Sequence, residues 1–278
     1  MALNWPTFFT RLGSAIIFCI IMMTGLLWHA WAFLALVMLI QILCLREYFR
    51  LMLRVFPDTV QPGWLQPVVQ ATGLLLLYLL AAGLLPGIPG YRYNGATGWP
   101  ALLCLPAVVI IAGALAKRSS LLAALLALGG MGYIVLPVAL FLCLYAQNTI
   151  LPLSLVLMIW MNDTMAYLVG SFIGKTPFSA ISPKKTWEGT AGGALLTVAG
   201  AVVWSYFAPQ YTIADWIALS LCASVAGTAG DLFESKLKRL ADVKDSGTLM
   251  PGHGGALDRF DSLLVAAPFA FSYAYLCM

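Results

Sequence analysis

Polar positions in this chain come in short clusters, and the apolar runs between them are close to twenty residues long. Roughly 20 apolar residues let a helix cross a bilayer. The runs do not alternate, as the shorter strands of an outer-membrane barrel would. Nine helical spans are predicted, near 12–27, 29–45, 66–86, 99–116, 120–145, 150–170, 189–208, 213–231 and 261–278. The first two share one apolar stretch that is too long for an ordinary span. A tight hairpin is expected where it is broken, around TGLLWHAW (Thr24 to Trp31).

Composition strengthens this picture. Of 278 residues, 62% are hydrophobic and 9% charged, against roughly 25% charged in soluble domains. The expected fold is an all-α, polytopic membrane protein with about nine transmembrane helices, forming one domain over residues 1–278. The first apolar run follows Arg11 without a clear cleavage site and is expected to be retained as a helix. The six cysteines lie in or at the ends of apolar runs with no C-x-x-C pair, so they are expected to be small buried hydrophobes, with no disulfide framework or zinc site.

Charge then orients the spans. With the N-terminus in the cytoplasm, all but Arg92 of the fifteen Lys and Arg fall on the inner side, a strong positive-inside pattern. The net charge of +4 is therefore read as topology rather than nucleic-acid binding. Apart from Asp215, the acidic residues also lie inside or near the inner ends of helices. A polar active site at the cytoplasmic face is expected.

Two polar clusters could carry chemistry. In the first, Trp160 to Gly193, Asp163 falls in or at the edge of a span. A carboxylate at mid-membrane costs about 2.5–3.5 kcal/mol on insertion scales, so such groups usually face a polar cavity; the alternative is an Asp at the water interface. SPKKTWEG (Ser182 to Gly189) offers Lys184 and Lys185 as point charges for phosphate, or as an ordinary positive-inside loop. Gly170, Gly174, Gly189, Gly192 and Gly193 permit close backbone approach, to another helix or to a ligand.

The second cluster runs from Gly230 to Ser262. Asp231 ends the eighth predicted span. If helix continues, Glu234, Ser235 and Lys238 follow on adjacent turns, and Leu232, Phe233, Leu237 and Leu240 give an apolar face for an amphipathic surface helix. The Gly-rich loop GTLMPGHGG (Gly247 to Gly255) lacks P-loop spacing but can turn N–H groups toward anionic oxygens. His253 is read as a substrate or loop-fixing hydrogen-bonding group; a lone His makes zinc a poor fit. Asp258 and Asp261 share a helix face at i, i+3 and would repel unless a cation lay between them. Hard oxygen ligands suit Mg²⁺, Mn²⁺ or Ca²⁺, with Asp231 completing the site; the alternative is a salt bridge with Arg259 or Lys238. Carboxylates, metal, polyphosphate and basic residues would then meet at the headgroup level, where a soluble nucleotide can reach a lipid phosphate.

These residues resemble the signature of the phosphatidate cytidylyltransferases (CDP-diacylglycerol synthases): S-x-x-K-R, K-D, P-x-H-G-G and D-R-x-D. They are Ser235, Lys238, Arg239, Lys244, Asp245, Pro251, His253, Gly254, Gly255, Asp258, Arg259 and Asp261. SPKKTWEG and the early REYFR (Arg46 to Arg50) are similar to the family as well. Met165 and Ser171 depart from the family's D-T-G-A-Y and G-R. The resemblance implies that CTP and phosphatidic acid give CDP-diacylglycerol and pyrophosphate, with Mg²⁺ and a possible second cation. It implies Asp231, Asp258 and Asp261 as metal ligands and, with Lys238, as the catalytic set. Asp163, Ser182, Lys184, Lys185, Ser235, Arg239, His253 and Arg259 are the expected substrate-binding residues. A homodimer in a bacterial inner membrane is the expected setting. A CTP-using lipid kinase and a transporter are the competing classes; clustering of charge at one face argues against the transporter, whose polar groups would spread across both halves.

Overall fold

The computed structural model describes residues 5–57, 63–89, 120–249 and 254–278. Among these, every regular element is helical, apart from an isolated antiparallel bridge between Pro177 and Thr186. The predicted span near 99–116 lies outside the described residues, as do Arg92, Cys104, Lys117, Arg118 and His253. Among the described residues, seven helical stretches are long and apolar enough to cross a membrane, and Leu12–Leu27 is a shorter apolar helix. The chain is an integral membrane protein on this evidence.

The expected hairpin is present. Helix α1 (Trp5–Leu27) ends there, and α2 (Ala30–Val55) begins after Trp28 and His29. His29 is extended (φ −159°, ψ 155°), and its Nδ1 accepts from the Trp31 N–H at 3.2 Å, capping α2. Helix α2 runs ten residues beyond its predicted end at 45, because REYFR stays helical and buries Glu47, Tyr48 and Phe49.

Helix α3 (Leu65–Leu84) is followed, after the undescribed segment, by α4 (Ser120–Gly130) and α5 (Leu136–Gln147), joined by a π turn at Met131–Val135. Phe33 of α2 stacks on Tyr145 of α5 at 3.9 Å. Then come α6 (Ile150–Ile173) and α7 (Trp187–Phe207). A second π turn, Cys222–Ala226, joins α8 (Ile213–Leu221) to α9 (Gly227–Leu240). Each π turn re-phases the helix after it. Helix does continue past Asp231, and span and amphipathic segment form one continuous rod from Ile213 to Leu240. Asp215 forms a capping box with Thr212 at the start of α8, which accounts for the lone outer acid.

Helix α10 (Leu257–Cys277) is the hub and packs against α9, α5, α2, α6 and α8. Large apolar side chains such as Ile17, Phe172, Leu195, Val203 and Phe207 point outward. Such a surface is an aggregation hazard in water and an ordinary lipid contact in a bilayer. The cysteines divide: Cys44 and Cys143 are buried as expected, Cys222 is half-buried, and Cys19 and Cys277 face outward with these apolar residues.

Candidate active site

Helices α6 and α7 meet through their small residues. A Cβ on Gly189 would lie 2.7 Å from the Ala166 carbonyl and 2.9 Å from Gly170 Cα; one on Gly193 would lie 2.7 Å from Ala166 Cβ. Gly189-x-x-x-Gly193 thus faces Ala166-x-x-x-Gly170, the small-residue pattern of close helix pairs in membranes. These glycines close a helix contact, and Gly170 also borders the polar cavity. The hairpin 174–186 between the two helices is strapped at its base: Glu188 accepts from the backbone N–H groups of Lys175 and Thr176 and from the Thr176 hydroxyl at 2.8 Å. Phe178 N–H donates to the Lys185 carbonyl at 2.7 Å, and Thr186 caps α7 through Gly189 N–H. Lys184 and Lys185 are therefore held by a built turn.

That turn overhangs a polar cavity of about 490 Å³ whose walls include Asp163, Ser182, Lys184, Lys185, Asp231, Asp258 and Asp261. Asp163 lies about 15 Å from the C-terminal end of α6 by helical rise, and is open to the cavity rather than packed in protein. Asp231, Glu234 and Asp261 form a trio whose ligand-capable atoms all lie within 4.8 Å of one another. Two lysines meet the trio. Lys185 pairs with Asp231. Lys238 lies 2.6 Å from Glu234 Oε2 and 2.6 Å from Asp258 Oδ1. Burial lowers the pKa of Lys185 from its ordinary value, while the Asp163 and Asp261 carboxylates act to raise it. Ser235 reaches Asp231 only at 3.4 Å.

Asp258 is differently employed. Its Oδ1 takes Lys238, and its Oδ2 accepts from Ser246 N–H (2.9 Å), Ser246 Oγ (2.9 Å) and Gly255 N–H (2.7 Å). Its side chain borders the cavity, but its lone pairs are occupied, and the acid grouped with Asp231 and Asp261 is Glu234. The salt bridge with Lys238, held open from the sequence, is what Asp258 makes. In the described part of the Gly-rich loop, the Gly255 N–H is likewise spent on the protein's own carboxylate, that of Asp258. Gly254 (φ +82°) is required at its turn, since a Cβ would come within 2.6 Å of Asp258 Oδ2.

Two basic residues expected at the substrate are not among those that line the polar cavity. Arg239 is exposed, its guanidinium turned to the Val243 carbonyl at 3.5 Å beyond the end of α9. Arg259 borders a second, apolar cavity of about 410 Å³ between α1, α2 and α10, lined by Ile17, Ile21, Leu39, Leu43 and Phe260. The first turn of α10 thus stands between a polar chamber and an apolar one.

A model of the cytidylyltransferase family matches residues 9–277. The chain belongs to the cytidylyltransferase family. It is 33% identical over 299 residues to a protein of Synechocystis sp. named phosphatidate cytidylyltransferase, covering 96% of this chain and 97% of that one. Proteins of the same name from Bacillus subtilis and Haemophilus influenzae are 47% identical over 115 residues and 41% identical over 125 residues, each match covering 43% of the relative's length.

The sequence reading of this cytidylyltransferase passed over several site residues. Glu234 was noted only for its helical spacing; its complete burial beside two aspartates emerges once α9 and α10 pack. Asn162, Tyr167, Thr190 and Thr228 line the polar cavity; Tyr167 ends the segment similar to D-T-G-A-Y, while nothing in the local sequence distinguishes the other three from other polar residues on apolar helices.

Proposed function

We propose that this chain is a phosphatidate cytidylyltransferase of a bacterial inner membrane, with its N-terminus and active site facing the cytoplasm. The observation that carries this is Asp231, Asp261 and Lys185 at the wall of a polar cavity, with the buried Glu234 grouped with the two aspartates and paired to Lys238, and an apolar cavity on the other side of the same helix turn. A phosphate oxygen of phosphatidic acid attacks the α-phosphorus of CTP. The new P–O bond gives CDP-diacylglycerol, and the bond to the bridging oxygen breaks to release pyrophosphate. The lipid phosphate is already an anionic nucleophile, so positioning and charge neutralisation do most of the catalysis.

Asp231, Glu234 and Asp261 fit a hard divalent ion such as Mg²⁺: all offer carboxylate oxygens, their ligand atoms are close together, and the buried Glu234 Oε1 has no hydrogen-bond partner. When bound, Mg²⁺ polarises the α-phosphate and stabilises the departing pyrophosphate. Lys184 and Lys185, with Ser182, are placed to hold CTP phosphates over the cavity, with Asp163 on its wall. Arg259 is assigned to the lipid phosphate, because the apolar cavity it borders suits acyl chains. Asp258 holds Lys238 at the acidic trio. His253 keeps its assignment from the sequence pattern as a substrate hydrogen-bonding group, and the homodimer belongs to the same proposal.

Purified protein given phosphatidic acid, Mg²⁺ and CTP labelled at the α or γ position tests the reaction. The α label is expected in lipid and the γ label in pyrophosphate. Lipid carrying the γ label would identify a lipid kinase instead.

A further inference from the structure

The proposed reaction leaves Glu47 unused, yet Glu47 is one of the most heavily engaged side chains in the molecule. It lies on α2 and is 6% exposed. Its Oε1 accepts from Ala256 N–H at 3.0 Å, and its Oε2 from Leu257 N–H at 2.8 Å. Ser246 Oγ lies 2.7 Å from Glu47 Oε2 and 2.9 Å from Asp258 Oδ2, so its single proton serves two carboxylates. A Cβ on Gly247 or Gly255 would come within 2.8 Å or 2.6 Å of the Glu47 carboxylate carbon.

Three physical consequences follow. Helix α10 has no side-chain cap of its own, because its N-cap is Ala256. The first N–H groups of a helix need acceptors, and Glu47 supplies them from another helix. Its negative charge also sits where the α10 dipole is positive. Finally, the contacts continue without a break from Glu47 through Ser246, Asp258 and Lys238 to Glu234 in the acidic trio.

We propose that Glu47 is a positioning residue for cytidylyl transfer: it anchors Ser246 and the start of α10 to α2, and thereby sets where Asp258 holds Lys238 against Glu234. This rests on the proposed function for its kinetic part only. Misplacement of a catalytic group by about 1 Å can cost on the order of 100-fold in rate, so a loosened anchor is felt in turnover more than in substrate affinity.

Glu47→Gln is the direct test. The amide keeps the shape but turns an NH₂ donor toward groups that are themselves donors. In purified protein, kcat for pyrophosphate release is expected to fall at least about 10-fold, with KM for CTP and for phosphatidic acid within about 3-fold. Trypsin should cut after the exposed Lys244 about 10-fold faster, in the absence of any substrate. Ser246→Ala, which leaves the helix cap in place, should lower kcat several-fold alone and add under about 2-fold in the Glu47→Gln background, since both act on one network. Wild-type turnover in Glu47→Gln, a loss confined to KM, or full additivity with Ser246→Ala would overturn the proposal. Should Glu47→Gln not fold, Ser246→Ala decides: unchanged kcat and unchanged cleavage after Lys244 reject it. If the wild type releases no pyrophosphate, the functional assignment fails, and the cleavage rates still decide whether Glu47 anchors the loop.

Discussion

Asp258 and Glu234 show how much one side chain's surroundings change its part. Both are acidic and both touch Lys238, but Asp258 has its lone pairs filled by backbone and side-chain donors while Glu234 Oε1 has no hydrogen-bond partner. Different losses are expected from neutralising each. Glu234→Gln or Asp261→Asn should lower CTP- and Mg²⁺-dependent turnover at least 100-fold in a protein that still inserts, read by pyrophosphate release from membranes. Asp258→Asn leaves Lys238 with one partner fewer in a poorly solvated site. Breaking a buried pair costs about 3–5 kcal/mol, so thermal unfolding in detergent should move to a clearly lower temperature. Lys236, exposed on the far side of α9, supplies the control: Lys236→Ala should stay within about 2-fold of wild type. The i, i+3 spacing of Asp258 and Asp261 was legible in the sequence. That Asp258 turns to Lys238 was not, because the choice depends on how α9 packs against α10 and on where Ser246 and Gly255 meet Asp258.

At the level of elements, the α6–α7 pair sets the geometry of the cavity wall. Membrane helices gain little from hydrophobic exclusion and associate through close packing, so the small residues at Ala166, Gly170, Gly189 and Gly193 are where this pair can be broken. Gly193→Val should push the helices apart at a cost of about 1–3 kcal/mol, lower the unfolding temperature in detergent, and raise KM for CTP by moving the Lys184–Lys185 hairpin relative to Asp163. An unchanged melting curve would count against this account of the interface. The glycines themselves are plain in the sequence, but whether they approached a ligand or a helix was undecidable there. Either use demands the same absence of a side chain. Apolar length ends the span at Asp231 and the amphipathic pattern runs on from there, yet both lie on one continuous rod from Ile213 to Leu240. The π turn at Cys222–Ala226 lets one helix carry both patterns.

For the whole molecule, sidedness is the large-scale claim. The bias of Lys and Arg toward one side of the predicted spans is the basis of the proposal that the cavity faces the cytoplasm. With the native cysteines replaced, Lys184→Cys should react with a membrane-impermeant maleimide in inside-out vesicles, and Asn148→Cys in right-side-out vesicles. The reverse pattern would place the chemistry on the wrong side of the membrane for CTP.

The sequence by itself determined the solvent, most of the helices and the class of chemistry. Each of these is written locally, as the length of apolar runs, the bias of Lys and Arg, and the fixed spacing from Ser235 to Asp261. Only the tertiary structure decided which acids stand together, which basic residue borders the apolar cavity and which line the polar one, and that Glu47 caps a helix more than two hundred residues later in the chain. Those outcomes depend on helix rotation and on contacts between distant segments. A one-residue change of phase turns a side chain by about 100°, and no local pattern records that angle.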